Sequence, residues 1–121
     1  NRLKEKNHDN VVVFGLVDNM HEIMAVSDAM ITKPGGLSIS EALVSQLPLI
    51  FFHPIPGQEI NNINVLATYG VGISDCKVSQ MVAHLNMLKS SKDTFLTALK
   101  KTKSLAKPNA VRDVIGLLNS V

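Results

Sequence analysis

Short, largely apolar runs alternate with amphipathic stretches of helical length through most of this 121-residue chain. The apolar runs are residues 11–15, 28–32, 48–52 and 71–74. The stretches between them, residues 20–27, 37–45 and 60–69, have apolar residues at helical spacing. This alternation predicts an α/β fold, a Rossmann-like parallel sheet with helices on both faces. In such sheets ligands bind beyond the carboxyl ends of the strands.

After residue 74 the pattern is helical, with predicted helices at residues 79–88, 95–105 and 110–118 and a break at Pro108. Residues 89–121 carry a net charge of +5, whereas residues 1–88 carry −3. A basic surface can attract an anionic membrane, but so modest an excess is more typical of a solvated helix face. The single cysteine, Cys76, excludes an internal disulfide and fits a cytoplasmic setting.

Two glycine-containing turns follow neighbouring predicted strands. The first, Thr-Lys-Pro-Gly-Gly, ends at Gly35 and Gly36 and leads directly into a helix. Backbone N–H groups at a helix N-terminus can hold a diphosphate, and glycine allows close approach. The spacing leaves open an ordinary turn in which the glycines supply positive φ. Ser38 and Glu41 have the spacing of a capping box, but Glu41 could instead bind ribose hydroxyls.

The second turn, Pro-Ile-Pro-Gly-Gln-Glu, delivers Gln58 and Glu59 to the start of the next helix, one turn from Asn62. These three side chains could bind the hydroxyls of a sugar. His53 before them could bind sugar or phosphate, although a lone histidine at a strand end more often has a structural role. Glu59 also has a structural explanation, since a carboxylate at a helix start stabilises the helix by interacting with its dipole. Because both turns follow strands, we expect them at one edge of the sheet.

Other chemistries have little support in the sequence. There is no C-x-x-C pair, and His21-Glu22 lacks the second histidine of H-E-x-x-H, so no metal site is predicted. No G-x-S-x-G elbow indicates a hydrolase. One tyrosine and four phenylalanines without a basic-aromatic stripe argue against nucleic-acid binding. No apolar run has the length of a membrane span.

The motifs TKPGG-x-[ST]-x-x-EAL and P-x-PGQE-x-x-N, in this order, resemble the C-terminal donor-binding domain of two-domain GT-B glycosyltransferases. The similarity covers Gly15 to about Ile73. It is strongest to the bacterial processive diacylglycerol glucosyltransferases and the plant monogalactosyldiacylglycerol synthases, and weaker to the GlcNAc transferase of peptidoglycan synthesis. The resemblance implies a UDP-sugar-dependent hexosyltransferase whose acceptor is a diacylglycerol-type lipid, and it implies no metal or other cofactor.

The resemblance also implies roles for individual residues. Uracil would lie against the loop after the first strand, the diphosphate at the Gly-Gly turn, the ribose at Glu41, and the donor sugar at the second turn. The corresponding positions are Leu16, Val17 and Met20 for uracil, Gly35, Gly36, Leu37 and Ser38 for diphosphate, and Gln58, Glu59 and Asn62 for sugar.

The resemblance further implies that residues 1–121 are a partial donor domain. The first strands of that domain, and the acceptor domain with the catalytic base, have no counterpart here, and residues 1–9 look like the end of a preceding helix. We therefore expect an inactive fragment with an exposed sheet edge that favours a homo-oligomer, and peripheral contact with the inner face of the membrane. Two alternatives stay open: a non-catalytic nucleotide-sugar-binding or assembly subunit of a split glycosyltransferase, and a relative of UDP-sugar epimerases.

Overall fold

The computed structural model describes residues 9–74 and 77–120. Six helices and three strands follow one another in these ranges. They are α1 (Met20–Ala25), β1 (Met30–Thr32), α2 (Gly36–Val44), β2 (Leu49–Phe51), α3 (Gln58–Thr68), β3 (Ile73–Ser74), α4 (Val78–Ser90), α5 (Lys92–Leu105) and α6 (Ala110–Asn119). The predictions for residues 1–8, the end of a preceding helix, and for Cys76 lie outside the described residues.

The three strands form one parallel sheet in the order β1-β2-β3. Met30 pairs with Leu49, and Ile50 pairs with Ile73. Helix α2 connects the first pair of strands and α3 connects the second, as parallel pairing requires a crossover. The predicted α/β architecture is confirmed, and the turns after β1 and β2 lie at the same edge of the sheet.

The central strand β2 is buried on both faces. Leu49 and Phe51 point to one face and join the main core with Ile39 and Ala42 of α2 and Leu66 of α3. Ile50 points to the opposite face and is 0% exposed. Because neighbouring strand residues alternate in direction, the complete burial of all three shows that both faces of the sheet are covered.

The predicted strand at residues 11–15 is wrong. The described structure assigns no strand there, and Val12 and Phe14 are 75% and 60% exposed. In the common doubly wound order 3-2-1-4-5-6, strand 3 is separated from strand 4 by strands 2 and 1. If residues 11–15 correspond to strand 3 and β1 corresponds to strand 4, the run has a hydrogen-bonding neighbour only when strands 1 and 2 are present. The described residues provide no strand on that side of β1.

The other predicted elements are confirmed with shifted ends. Helix α3 begins at Gln58, two residues before the predicted start, and Gly70 ends it with φ +64°. Strand β3 is shorter than predicted. Helix α5 packs against α4 and α2, and Leu105 at its end contacts the main core. Helix α6 follows Pro108, and all its residues are exposed.

Candidate functional site

The Gly-Gly turn joins the carboxyl end of β1 to α2, and its geometry does not require glycine. Gly35 is the N-cap residue with φ −73° and ψ 141°, and Gly36 is the first helical residue. The expectation of positive φ at these glycines is therefore wrong. A Cβ at Gly35 or Gly36 would meet no atom within 4 Å. The two glycines therefore leave open space over the N-terminus of α2, which suits a ligand that approaches the backbone.

The predicted capping box of Ser38 and Glu41 is also wrong. Helix α2 begins at Gly36, so Ser38 is its third residue, and no side chain caps the helix start. The first amides of a helix lack intrahelical partners. At α2 these amides face the space that the glycines leave open. Glu41 therefore has no capping role, and its side chain is exposed on the second turn of the helix.

The second turn has a different reason for its glycine. Gly57 is the N-cap residue of α3 with φ +101°, a conformation that other residues rarely adopt. Glu59 stabilises the turn, because its Oε2 accepts a hydrogen bond from the backbone N–H of Ile55 at 2.7 Å. Gln58, beside it, is exposed. The carboxylate of Glu59 thus has a structural contact that the sequence did not predict.

Asn62 joins the two turns. Its Nδ2 donates a hydrogen bond of 2.8 Å to the carbonyl of Pro34, across 28 positions in the sequence. Pro34 itself is fully buried. The backbone N–H of Phe52, just after β2, also donates to the carbonyl of Thr32 at 3.2 Å. The first bond holds the Gly-Gly turn against α3, and the second holds the start of the second turn against the end of β1, so the turns form adjacent walls of one site.

A cavity of about 300 Å³ lies between α1 and α2. It brings together Met20 and Glu41, which were predicted to contact the base and ribose of one nucleoside. The full lining consists of Met20, His21, Met24, Ser40, Glu41, Val44 and Ser45. The other five lining residues were missed by the sequence analysis as site residues. The sequence did contain a signal for them, because the lining residues recur at one-turn intervals on each of the two helices.

Other predicted residues are not brought into this cavity. Leu16 is fully exposed, Val17 is half-buried, and neither lines the space beside Met20. Leu37 is exposed on the first turn of α2, and Ser38 next to it is half-buried. Both lie by position at the open N-terminus, with Gly35 and Gly36, rather than in the cavity.

Comparison with known proteins gives the family. The model of the glycosyltransferase family 28 C-terminal domain matches residues 1–114. A processive diacylglycerol beta-glucosyltransferase of Bacillus cereus (strain AH187) is 34% identical over 113 residues, covering 93% of this chain and 29% of that protein. The enzyme of the same name from Staphylococcus carnosus (strain TM300) is 45% identical over 71 residues, covering 59% of this chain and 18% of that protein.

The chain therefore spans less than a third of the length of these curated relatives. The family match covers nearly the whole chain, including both turns and the cavity between α1 and α2. The match agrees with the resemblance found in the sequence motifs and with the parallel sheet of the structure. The chain belongs to the glycosyltransferase family 28 C-terminal domain family.

Proposed function

We propose that this chain is the UDP-sugar-binding part of a glycosyltransferase that moves a hexose from a UDP-sugar to an acceptor hydroxyl. The hydrogen bond from Asn62 to the carbonyl of Pro34 carries the proposal. It fixes an open, glycine-lined helix N-terminus next to a turn rich in hydrogen-bonding side chains. A diphosphate and the sugar attached to it need such adjacent surfaces.

The diphosphate would bind at the N-terminus of α2, against the amides of Gly36, Leu37 and Ser38. The partial positive charge of a helix N-terminus stabilises anions. It would also stabilise the negative charge that grows on the departing UDP in the transition state. The missing side chains at Gly35 and Gly36 leave the space that phosphate oxygens would occupy.

The nucleoside would extend from this helix end into the cavity between α1 and α2. Glu41 would accept hydrogen bonds from the two ribose hydroxyls, and Met20 would pack against uracil. The cavity volume of about 300 Å³ is at the lower end of the range for ligand sites. Its mixture of methionine side chains with one carboxylate suits a base joined to a ribose.

The donor sugar would contact the second turn. Gln58 is exposed there and presents both a donor and an acceptor. Glu59 and Asn62 each use one polar atom within the protein, Oε2 and Nδ2 respectively. Each keeps an oxygen that these bonds do not use, Oε1 of Glu59 and Oδ1 of Asn62, and this oxygen can accept a hydrogen bond from a sugar hydroxyl.

The acceptor side would come from other parts of a longer protein. The relatives are named for diacylglycerol, which supports a lipid acceptor and peripheral contact with a membrane through the basic region 89–107. Among the described residues no helix has the length and apolarity to cross a membrane. Strand β1 pairs only with β2 in the described structure, and its free edge could pair with further strands of this domain or with a second copy.

Calorimetric titration of the full-length protein with UDP tests this proposal. Replacing Glu41→Ala is expected to weaken UDP binding about tenfold or more, because a charged hydrogen bond to ribose contributes about 1.5–3 kcal/mol. The control Asp113→Ala, on the exposed helix α6, should leave the affinity unchanged. Wild-type affinity in Glu41→Ala, or no UDP binding by the wild-type protein, would contradict the proposal.

A further inference from the structure

His53 has a backbone conformation that its sequence context disfavours. Its φ is +45°, in the left-handed region, where non-glycine residues are uncommon. The next residue is Pro54, and a residue before proline is pushed towards extended conformations. Two separate preferences are therefore overruled at one residue. Such strain persists where the surrounding structure imposes it, and it concentrates at functional sites.

Gln46 provides a comparison within the same chain. It is the other non-glycine residue with positive φ among the described residues, at +58°. Its conformation has a structural reason, since it ends α2. The N–H of Gln46 donates to the carbonyl of Leu43, and the N–H of Leu47 donates to Ala42. This is the hydrogen-bond pattern of a Schellman motif, in which a left-handed residue is expected. His53 ends a strand and has no such motif.

The strained backbone determines where the imidazole lies. In a regular strand, successive side chains point to opposite faces. Here the rings of Phe52 and His53 meet edge to face, with their centroids 5.9 Å apart. The turn of the chain therefore brings the imidazole beside the preceding side chain, while His53 stays exposed.

His53 also lies where the two turns meet the edge of the sheet. The backbone N–H of Phe52 still donates a hydrogen bond to the carbonyl of Thr32 at the end of β1. His53 is therefore the first residue beyond the carboxyl edge of β2. The Gly-Gly turn lies on one side of this position and the Pro-Gly-Gln-Glu turn follows it in the chain. The imidazole N–H is a donor that phosphate oxygens accept.

We propose that His53 is a donor-binding residue whose imidazole hydrogen-bonds the β-phosphate, and that its left-handed backbone serves this contact. The proposal rests on the proposed UDP-sugar function. It assigns the β-phosphate to His53 because this residue follows Phe52, which is hydrogen-bonded to the end of β1, and directly precedes the turn proposed for the sugar.

Calorimetry on the full-length protein with UDP and UMP tests the assignment. His53→Gly removes the imidazole and suits the left-handed backbone, so the protein should fold with an unchanged or higher melting temperature. We expect its UDP affinity to fall about tenfold, the loss typical of one hydrogen bond to a charged group. UMP, which has no β-phosphate, should bind as tightly as it does to the wild-type protein.

Gln46→Gly is the matched control, because it relieves the same type of backbone strain away from the two turns, at a residue that does not line the cavity. It should leave the affinities for both nucleotides unchanged. Unchanged UDP affinity in His53→Gly would overturn the proposal for His53, and so would an equal loss for UDP and UMP. Failure of the wild-type protein to bind UDP would instead contradict the proposed function itself.

Discussion

The hydrogen bond between Asn62 and Pro34 allows a quantitative test of how the site is assembled. Asn62→Ala removes the donor at 2.8 Å from the Pro34 carbonyl. Asn64→Ala, on the same helix α3, is the matched control, since Asn64 is exposed and makes no such contact. Both changes raise helix propensity by a similar amount, roughly 0.6 kcal/mol, so this gain cancels in the comparison.

The expected difference between the two variants follows from the burial of the acceptor. A neutral hydrogen bond contributes about 0.5–1.5 kcal/mol net, and a buried carbonyl left without a donor costs about 1–3 kcal/mol. Pro34 is fully buried whereas Asn62 is half-buried, so water can partly replace the lost donor. We therefore expect Asn62→Ala to be less stable than Asn64→Ala by about 2 kcal/mol.

Urea unfolding measures this difference. Because the free energy of unfolding falls by about 1–3 kcal/mol per M of urea, a difference of about 2 kcal/mol lowers the unfolding midpoint by roughly 1 M. UDP-sugar affinity, measured by calorimetry on the same variants, should fall in Asn62→Ala because the two turns are no longer held together. Equal midpoints and equal affinities for the two variants would refute the role of Asn62 as the link between the walls.

Two further substitutions test the core packing and one helix cap. Gly72→Ala should lower the free energy of unfolding by about 2–4 kcal/mol, because Gly72 has φ +75° and an added Cβ would clash with the ring of Phe51. The control Gly116→Ala, where a Cβ meets nothing within 4 Å, should not destabilise the protein. Equal effects of the two substitutions in urea unfolding would count against this reasoning. Ser91→Ala should lower the free energy of unfolding by about 1 kcal/mol, since the Ser91 side chain caps α5 by accepting a hydrogen bond from the N–H of Thr94 at 3.2 Å. The control Ser90→Ala, at the neighbouring residue, should change the unfolding midpoint little. An unchanged midpoint for Ser91→Ala would show that the cap is unimportant.

The sequence predicted the parallel sheet and its crossovers because burial on both faces leaves a direct pattern. Residues 48–52 are continuously apolar, and β2 is correspondingly buried on both faces. The run at residues 11–15 has the same pattern but forms no strand. Its composition reports a tendency to be buried, whereas strand formation also needs a hydrogen-bonding neighbour, which no property of the run itself reveals.

The site was predicted in outline, with errors in the local roles. Motif spacing correctly placed both turns at one edge of the sheet. It could not show that Gly35 is the N-cap residue of α2, which makes Ser38 an ordinary third helical residue instead of a cap. The contacts of Asn62 and Glu59 depend on how the two turns meet in space. The left-handed backbone of His53 likewise has no signal in the sequence, since a residue before proline is normally extended.

The UDP affinity of Gly36→Ala tests the central claim most directly. Alanine fits the first position of α2 without a clash and has a higher helix propensity than glycine, so the fold should keep or gain stability, by up to about 1 kcal/mol. The added methyl group would occupy the space proposed for phosphate oxygens. We predict that calorimetry on the full-length protein will show UDP affinity at least tenfold weaker in a variant that is no less stable. Wild-type UDP affinity in Gly36→Ala would contradict the claim that the Gly-Gly turn holds the diphosphate.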